Sequence, residues 1–173
     1  MAFSLYDASV ANYLQILGAV AGYMEKGAAH FKEKGGNIED IVATRLFDDM
    51  LPFSFQIVSV AHHSRGAMEA VQKGVFSPDM GQPGLKYADL QKMVADATSA
   101  LTALKPDDVN ALAGRDMAFQ FGERKLPFTV EEFLMSFSLP NFFFHATTAY
   151  DILRHKGVPL GKRDFMGRLR IKR

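Results

Sequence analysis

Apolar positions recur at spacings of three and four along four long stretches of the chain, and each stripe is one-sided, as a helix with one buried face requires. Val10, Tyr13, Leu14, Leu17, Val20, Ala21 and Met24 predict a first helix from Tyr6 to about Lys34, ended by the paired glycines Gly35 and Gly36. Asn37 can cap a short helical connector from Ile38 to about Arg45. Pro52 suits a first helical turn, where its missing N–H is not needed. The apolar run Phe53, Phe55, Ile57, Val58, Val60 and Ala61 then carries a second helix from Leu51 to Lys73. Gly74 to Gly84 has little periodicity and reads as a long surface connection. Tyr87, Leu90, Met93, Val94, Ala97, Leu101 and Leu104 form the stripe of a third helix, closed by Pro106.

Past Pro106 the period changes from helical to alternating. Met117, Phe119 and Phe121 interleave with Ala118 and Gln120 before the turn Gly122 to Lys125, which predicts a small hairpin. Thr129 and Glu132 have the spacing of a capping box and open a fourth helix. It runs through Phe133, Leu134, Phe137, Phe144 and Ile152 to His155, with a kink expected at Pro140 and a left-handed glycine at Gly157. Residues 158–173 read as a C-terminal tail with six basic residues, pinned over the rest by Leu160 and Phe165. Four one-sided helices satisfy one another most simply around a shared axis. The expected fold is therefore all-α, a four-helix bundle with a small β-hairpin insert before the last helix, in a single domain spanning 1–173. The long links leave simple up-down-up-down order unrequired.

A length of 173 residues fits one core, and 48% hydrophobic content with 15 Phe, 5 Tyr and no Trp supplies it. Lys and Arg number 20 against 19 Asp and Glu, a net charge of +1 that lacks the basic excess of a nucleic-acid binder. The tail intersperses basic and apolar residues, yet docking onto the bundle explains it better than contact with nucleic acid or a membrane. Zero Cys removes disulfides, thiolate zinc sites and cysteine nucleophiles together. No stretch of 18 charge-free apolar residues offers a membrane span, and Met1 to Asp7 lacks the charged and apolar regions of a signal peptide, so the expected location is the cytoplasm.

The run Pro140-Asn141-Phe142-Phe143-Phe144-His145-Ala146-Thr147-Thr148-Ala149-Tyr150-Asp151, continuing to His155 and followed by Gly157-Val158-Pro159-Leu160-Gly161-Lys162, resembles an uncharacterised, largely bacterial family within the DinB-like superfamily of four-helix bundles. The opening Ser4 to Ser9 and the segment Asp49-Met50-Leu51-Pro52 are similar to that family as well. The resemblance implies atypical connectivity, with the second and third helices parallel and a cavity open at one end. It also implies a frequent dimer, and in many superfamily members a divalent metal held by one histidine of the second helix and a His-x-x-x-His pair of the fourth. Here that pair is incomplete: His145 matches its first position, and Ala149 stands at the second.

Ligands on one helix converge only at spacings of three or four. His145 and His155 are ten residues apart, about 15 Å of axial rise, and cannot share an ion. His62 and His63 are neighbours, about 100° apart around their helix, so one of them can face inward. The candidate metal set is accordingly His62, His63 and His145, and the resemblance implies Zn or Ni as the ion and a divalent-metal-dependent transferase as the activity. A buried, hydrogen-bonded histidine is the weightier reading of His145. The leading expectation is a small-molecule ligand bound in an end cavity through His145, Tyr150 and His62, although Tyr150 lies five positions from His145 and turns toward another face. No Gly-x-Ser-x-Gly elbow and no phosphate-cradling glycine loop occurs. Phe142, Phe143 and Phe144 fan across roughly 200° of a helix, wider than one core stripe, so a homodimer or an interaction protein without catalysis is the third expectation.

Overall fold

The computed structural model describes residues 3–79 and 81–172. Met1, Ala2, Met80 and Arg173 lie outside the described residues, and with them the start of the leader reading and the last residue of the expected tail. Ten α-helices occur among the described residues: α1 (Leu5–Ala8), α2 (Val10–Glu33), α3 (Glu39–Val42), α4 (Phe53–Ala61), α5 (Ala67–Lys73), α6 (Tyr87–Thr102), α7 (Pro106–Asn110), α8 (Val130–Glu132), α9 (Leu139–His155) and α10 (Lys162–Met166). Two π-helical segments, His62–Gly66 and Phe133–Ser138, join α4 to α5 and α8 to α9. The four long rods are α2, α4 with α5, α6, and α8 with α9.

Several expectations are refined. The first rod breaks at Ser9, the extended backbone of Pro52 precedes Phe53 as the cap of the second, and Pro106 opens the short α7 instead of only ending a helix. The predicted hairpin is one part of a three-stranded sheet. β2 (Asp116–Phe121) pairs antiparallel with β3 (Arg124–Thr129), and β1 (Val75–Phe76), from the link after α5, pairs parallel with β2 through Val75 with Ala118 and Phe76 with Phe119. The capping box at Thr129 and Glu132 is formed. Pro140 makes no break, because the π segment Phe133–Ser138 widens the turn just before it. Proline cannot donate to the carbonyl four residues back, and one extra residue in the turn passes that carbonyl to a later amide. Asn141 Nδ2 donates to Phe137 O at 2.7 Å, which occupies a further carbonyl of the widened turn.

Pairs of contacts fix the direction of each rod. Tyr13 meets Phe142 near the start of α2 and α9, with ring centroids 4.9 Å apart, and Tyr23 OH donates to Ala146 O at 3.0 Å further along, so α2 and α9 are parallel. Phe53 and Tyr87, which open α4 and α6, stack at 5.8 Å with 7° between planes, so these two are parallel as well. Tyr87 OH reaches back to Met24 O at 2.8 Å, setting α6 antiparallel to α2. Both α2 and α4 pack on α6 and on α9, which places α2 and α4 on a diagonal of the bundle. The rods thus run up, down, down, up, the parallel second and third rods being the connectivity the resemblance implies. The link 74–86 carries the chain back along the bundle, whereas 103–129 joins the antiparallel α6 and the fourth rod at one end and supplies β2 and β3 there.

The core is built on phenols as much as on aliphatic side chains. Tyr13, Tyr23 and Tyr87 are buried, and burial pushes each hydroxyl above its ordinary range. Each hydroxyl donates across to another rod, so each ties packing to register. The tail is docked as expected: Leu160 is buried, Phe165 packs on Tyr150, and Lys26 pairs with Asp164 at 2.5 Å. No helix among the described residues is long and apolar enough to cross a membrane.

Tyr13 OH donates to Ser138 Oγ at 3.0 Å, and Ser138 Oγ donates onward to His63 O at 2.7 Å, all three groups being buried. Ser138→Ala strands both a phenol and a carbonyl, so we expect it to lower stability by about 2–3 kcal/mol, against about 1 kcal/mol for Tyr13→Phe, which removes one donor only. Urea unfolding of the two variants checks the order; equal losses would show that the chain carries no weight.

Candidate functional site

The two π segments meet. The first sets His62 and His63 on the second rod, and the second sets Phe133 and Phe137 on the fourth, with Phe76 of β1 between them. A π turn rotates the residues that follow it relative to a regular helix, and such turns recur at functional sites. Phe119 and Phe128 of the sheet complete an aromatic wall around Phe137, at 4.9 and 6.2 Å between centroids.

His145 enters this cluster from α9. Its Nδ1 lies 2.7 Å from Oε1 of Gln56, a buried residue of α4. The Gln56 amide is itself oriented, because its Nε2 donates to Leu51 O at 2.7 Å. With the amide nitrogen committed there, the oxygen is what faces His145, so the hydrogen-bond network assigns the proton to Nδ1. Nε2 of His145 then carries the lone pair and has no hydrogen-bond partner among the described residues. Phe55 and Phe144 flank the ring at 5.8 and 5.2 Å. Phe55 is also a wall of a cleft of about 180 Å³ shared with Leu51, Pro52, Ser54, Val58 and the 81–85 loop.

His63 lies against His145, the two rings nearly parallel at 16° and 6.0 Å apart. It is only 8% exposed, and its Nδ1 is buried without a partner. Burial, reinforced by the neighbouring His62 and His145, pulls its pKa down from the ordinary 6.5 to about 3. Burial alone pulls His145 down to about 4. Both imidazoles are therefore neutral at pH 7. His62 points elsewhere. Its Nε2 donates to Ser77 O at 2.7 Å, and its ring stacks on Phe76 at 4.3 Å. That leaves the Nδ1 lone pair over Gly66, where an added Cβ would sit 2.7 Å from it. A cleft of about 190 Å³ lined by His62, Gly66, Glu69, Lys73 and Ser77 opens there.

Of the sequence-predicted candidates, the structure brings His63 and His145 together, keeps the His62 ring 5.8 Å from that of His63 but bonded to Ser77, and separates Tyr150 from all three. Tyr150 does not join His145: its ring packs on Tyr23 at 6.0 Å and on Phe165 at 5.8 Å, under the tail. Phe142 is core, whereas Phe143 and Phe144 are 37% and 56% exposed. Gln56 and Ser138 were not singled out from the sequence. Their signal was there: each is a polar residue set on an otherwise apolar helical stripe, where burial demands a partner.

The family model described as "Domain of unknown function (DUF1993)" matches residues 5–166. No curated protein matches the chain. Among solved structures, a DinB family member protein from Shewanella denitrificans is similar over 98% of this chain and 95% of that one, with a TM-score of 0.80 at 24% identity, a likeness of fold. The metal that the sequence resemblance implies does not fit the donors present. His63 and His145 offer two imidazoles, Ala149 offers no donor atom, and His62 is turned to Ser77. Among the described residues no group of three or more His, Asp or Glu side chains is placed to hold one ion.

The neutral imidazoles set a pH dependence. Above about pH 6.5 neither folded nor unfolded chain protonates these rings. Below it the unfolded chain binds protons that the folded one, with His63 near 3 and His145 near 4, does not, so stability falls as pH falls toward those values. Between pH 7.5 and 5.0 we expect the wild type to lose on the order of 1–2 kcal/mol more than His63→Phe. Urea midpoints at the two pH values measure it, and parallel losses in the two proteins would show that His63 is not held neutral.

Proposed function

The chain belongs to the DUF1993 family, a family of the DinB-like fold, and from that premise we propose that it binds a small aromatic ligand carrying a hydrogen-bond donor at His145. The observation that carries this reading is the 2.7 Å contact of His145 Nδ1 with Gln56 Oε1, whose amide is oriented by Leu51 O: the tautomer it assigns leaves a neutral Nε2 acceptor beside the partly exposed rings of Phe55 and Phe144. A ligand ring stacks on those faces, while its hydroxyl or amine donates to Nε2. A neutral imidazole with a fixed lone pair is also the form that accepts a proton, so the same arrangement suits a general base should the ligand be a substrate.

Phenol and anisole, matched in shape and differing in the donor, test this. In histidine-labelled protein followed by nitrogen NMR, phenol is expected to shift His145 Nε2, and anisole to bind about five- to tenfold more weakly, the worth of one hydrogen bond. Gln56→Leu, which frees the tautomer, is expected to narrow that ratio. Equal affinity for the two compounds, or saturation by phenol with His145 Nε2 unmoved, overturns the reading.

A second reading is favoured by the exposure of Met135, Phe143 and Phe144 at 47%, 37% and 56%: these side chains meet a second copy of the chain. Sedimentation of the wild type and of the Phe143→Ser/Phe144→Ser double variant separates the two. A dimer that the double variant disperses supports association, and a wild type monomeric at high concentration removes it.

A further inference from the structure

We infer that the cleft between α2 and the C-terminal strap is a second ligand site, built for a medium-chain carboxylate or similar amphipathic monoanion and independent of the imidazole cluster. The cleft measures about 430 Å³, within the range of small-molecule sites, and is lined by Tyr6, Ala11, Leu14, Gln15 and Gly18 below and by Gly167, Arg168 and Arg170 above. No residue is shared with the cluster around His63 and His145.

The floor is an outward face of α2 on which side chains are small or absent. An added Cβ at Gly18 would meet nothing within 4 Å, so the space above it is open, and Leu14 and Ala11 supply apolar surface on the same face one and two turns earlier. The roof is held in place by specific contacts. Gln15 Nε2 donates to Met166 O at 3.0 Å and Arg170 donates to Asn12 Oδ1 at 2.7 Å. Between them Gly167 takes φ +61°, ψ −150°, backbone that favours glycine, and lies so close to α2 that a Cβ would come within 3.0 Å of Gln15 O and 3.2 Å of Ala19 Cβ. Only glycine lets the strap cross the helix here.

The charge decides what the cleft takes. Two guanidinium groups, Arg168 and Arg170, border it, no carboxylate lines it, and neither arginine has an ion-pair partner among the described residues. An apolar floor under an uncompensated positive rim selects a ligand with an alkyl body and one anionic head, which guanidinium binds bidentately when the head is a carboxylate.

The test is a titration with sodium octanoate followed by amide NMR, with octan-1-ol as the uncharged match at equal ionic strength. We expect saturable shifts at the Gly18 and Gly167 amides, and octanol binding at least tenfold more weakly than octanoate. Gly18→Leu fills the floor from an exposed helical position and is expected to abolish the shifts at Gly167 while the circular dichroism of the fold is kept. Arg168→Gln/Arg170→Gln, on exposed side chains, is expected to bring octanoate down to the affinity of octanol, which keeps the test decisive should Gly18→Leu unfold. Octanoate shifts confined to other residues, equal binding of acid and alcohol by the wild type, or unchanged octanoate affinity in the double arginine variant overturns the inference.

Discussion

The hydroxyl of Ser138 stands where three of the four long rods meet, accepting from Tyr13 of the first and donating to the His63 carbonyl of the second while sitting on the fourth. Each of the groups it joins is buried, so each would lose water on folding without a replacement. The carbonyl of His63 lies within a π segment, and Ser138 closes the other π segment, so the two irregular turns are tied at their point of contact. Rods held together only by apolar faces can slide by a turn at small cost. A buried hydroxyl relay admits one register, and that register brings His63 opposite His145.

With the register fixed, electrostatics follow from burial. Two imidazoles at 6.0 Å in an aromatic enclosure cannot both take a proton without stranding like charges in a poorly solvated space, and the surroundings keep both neutral. Gln56 then breaks the symmetry between the ring nitrogens of His145, while nothing does so for His63, whose Nδ1 is left unpartnered. The pair therefore consists of one imidazole with a defined lone pair near the surface and one undefined imidazole behind it. The first is suited to recognition, and the second shapes the surroundings of the first.

Most of this fold is legible in the sequence, and what is not has a common cause. The stripes of α2 and α6, the capping box at Thr129 and Glu132, and the hairpin around Gly122 are local patterns, read within a window of a few residues. The parallel second and third rods were available only through the resemblance, because the pairing of Phe53 with Tyr87 is a relation between distant segments. The π segments were not read from the sequence, since the widening at Phe133–Ser138 answers to Pro140, which a local reading takes for a kink. The site was half legible. Histidines announce themselves by type, so His63 and His145 were in view, but neither Gln56 nor Ser138 is a chemically conspicuous residue, and both act by where they are buried. Tyr150 misled for the converse reason: its type suggests chemistry, and its position beneath Phe165 gives it packing.

A cluster chosen for stability alone would be composed differently. Leu or Phe at positions 63 and 145 would fill similar space in the aromatic wall without an orphaned Nδ1 and without loss of stability below neutral pH, and the bundle already has a core of phenols and aliphatic side chains to sustain it. The second rod instead bulges where it places His63, the bulge that Pro140 draws from the fourth rod packs against it, and an otherwise apolar face of α4 carries a buried glutamine that orients His145. Three departures from the simplest bundle converge on one lone pair. Local rules broken together at one place set that place apart from the rest of the bundle, and in this chain they surround Nε2 of His145.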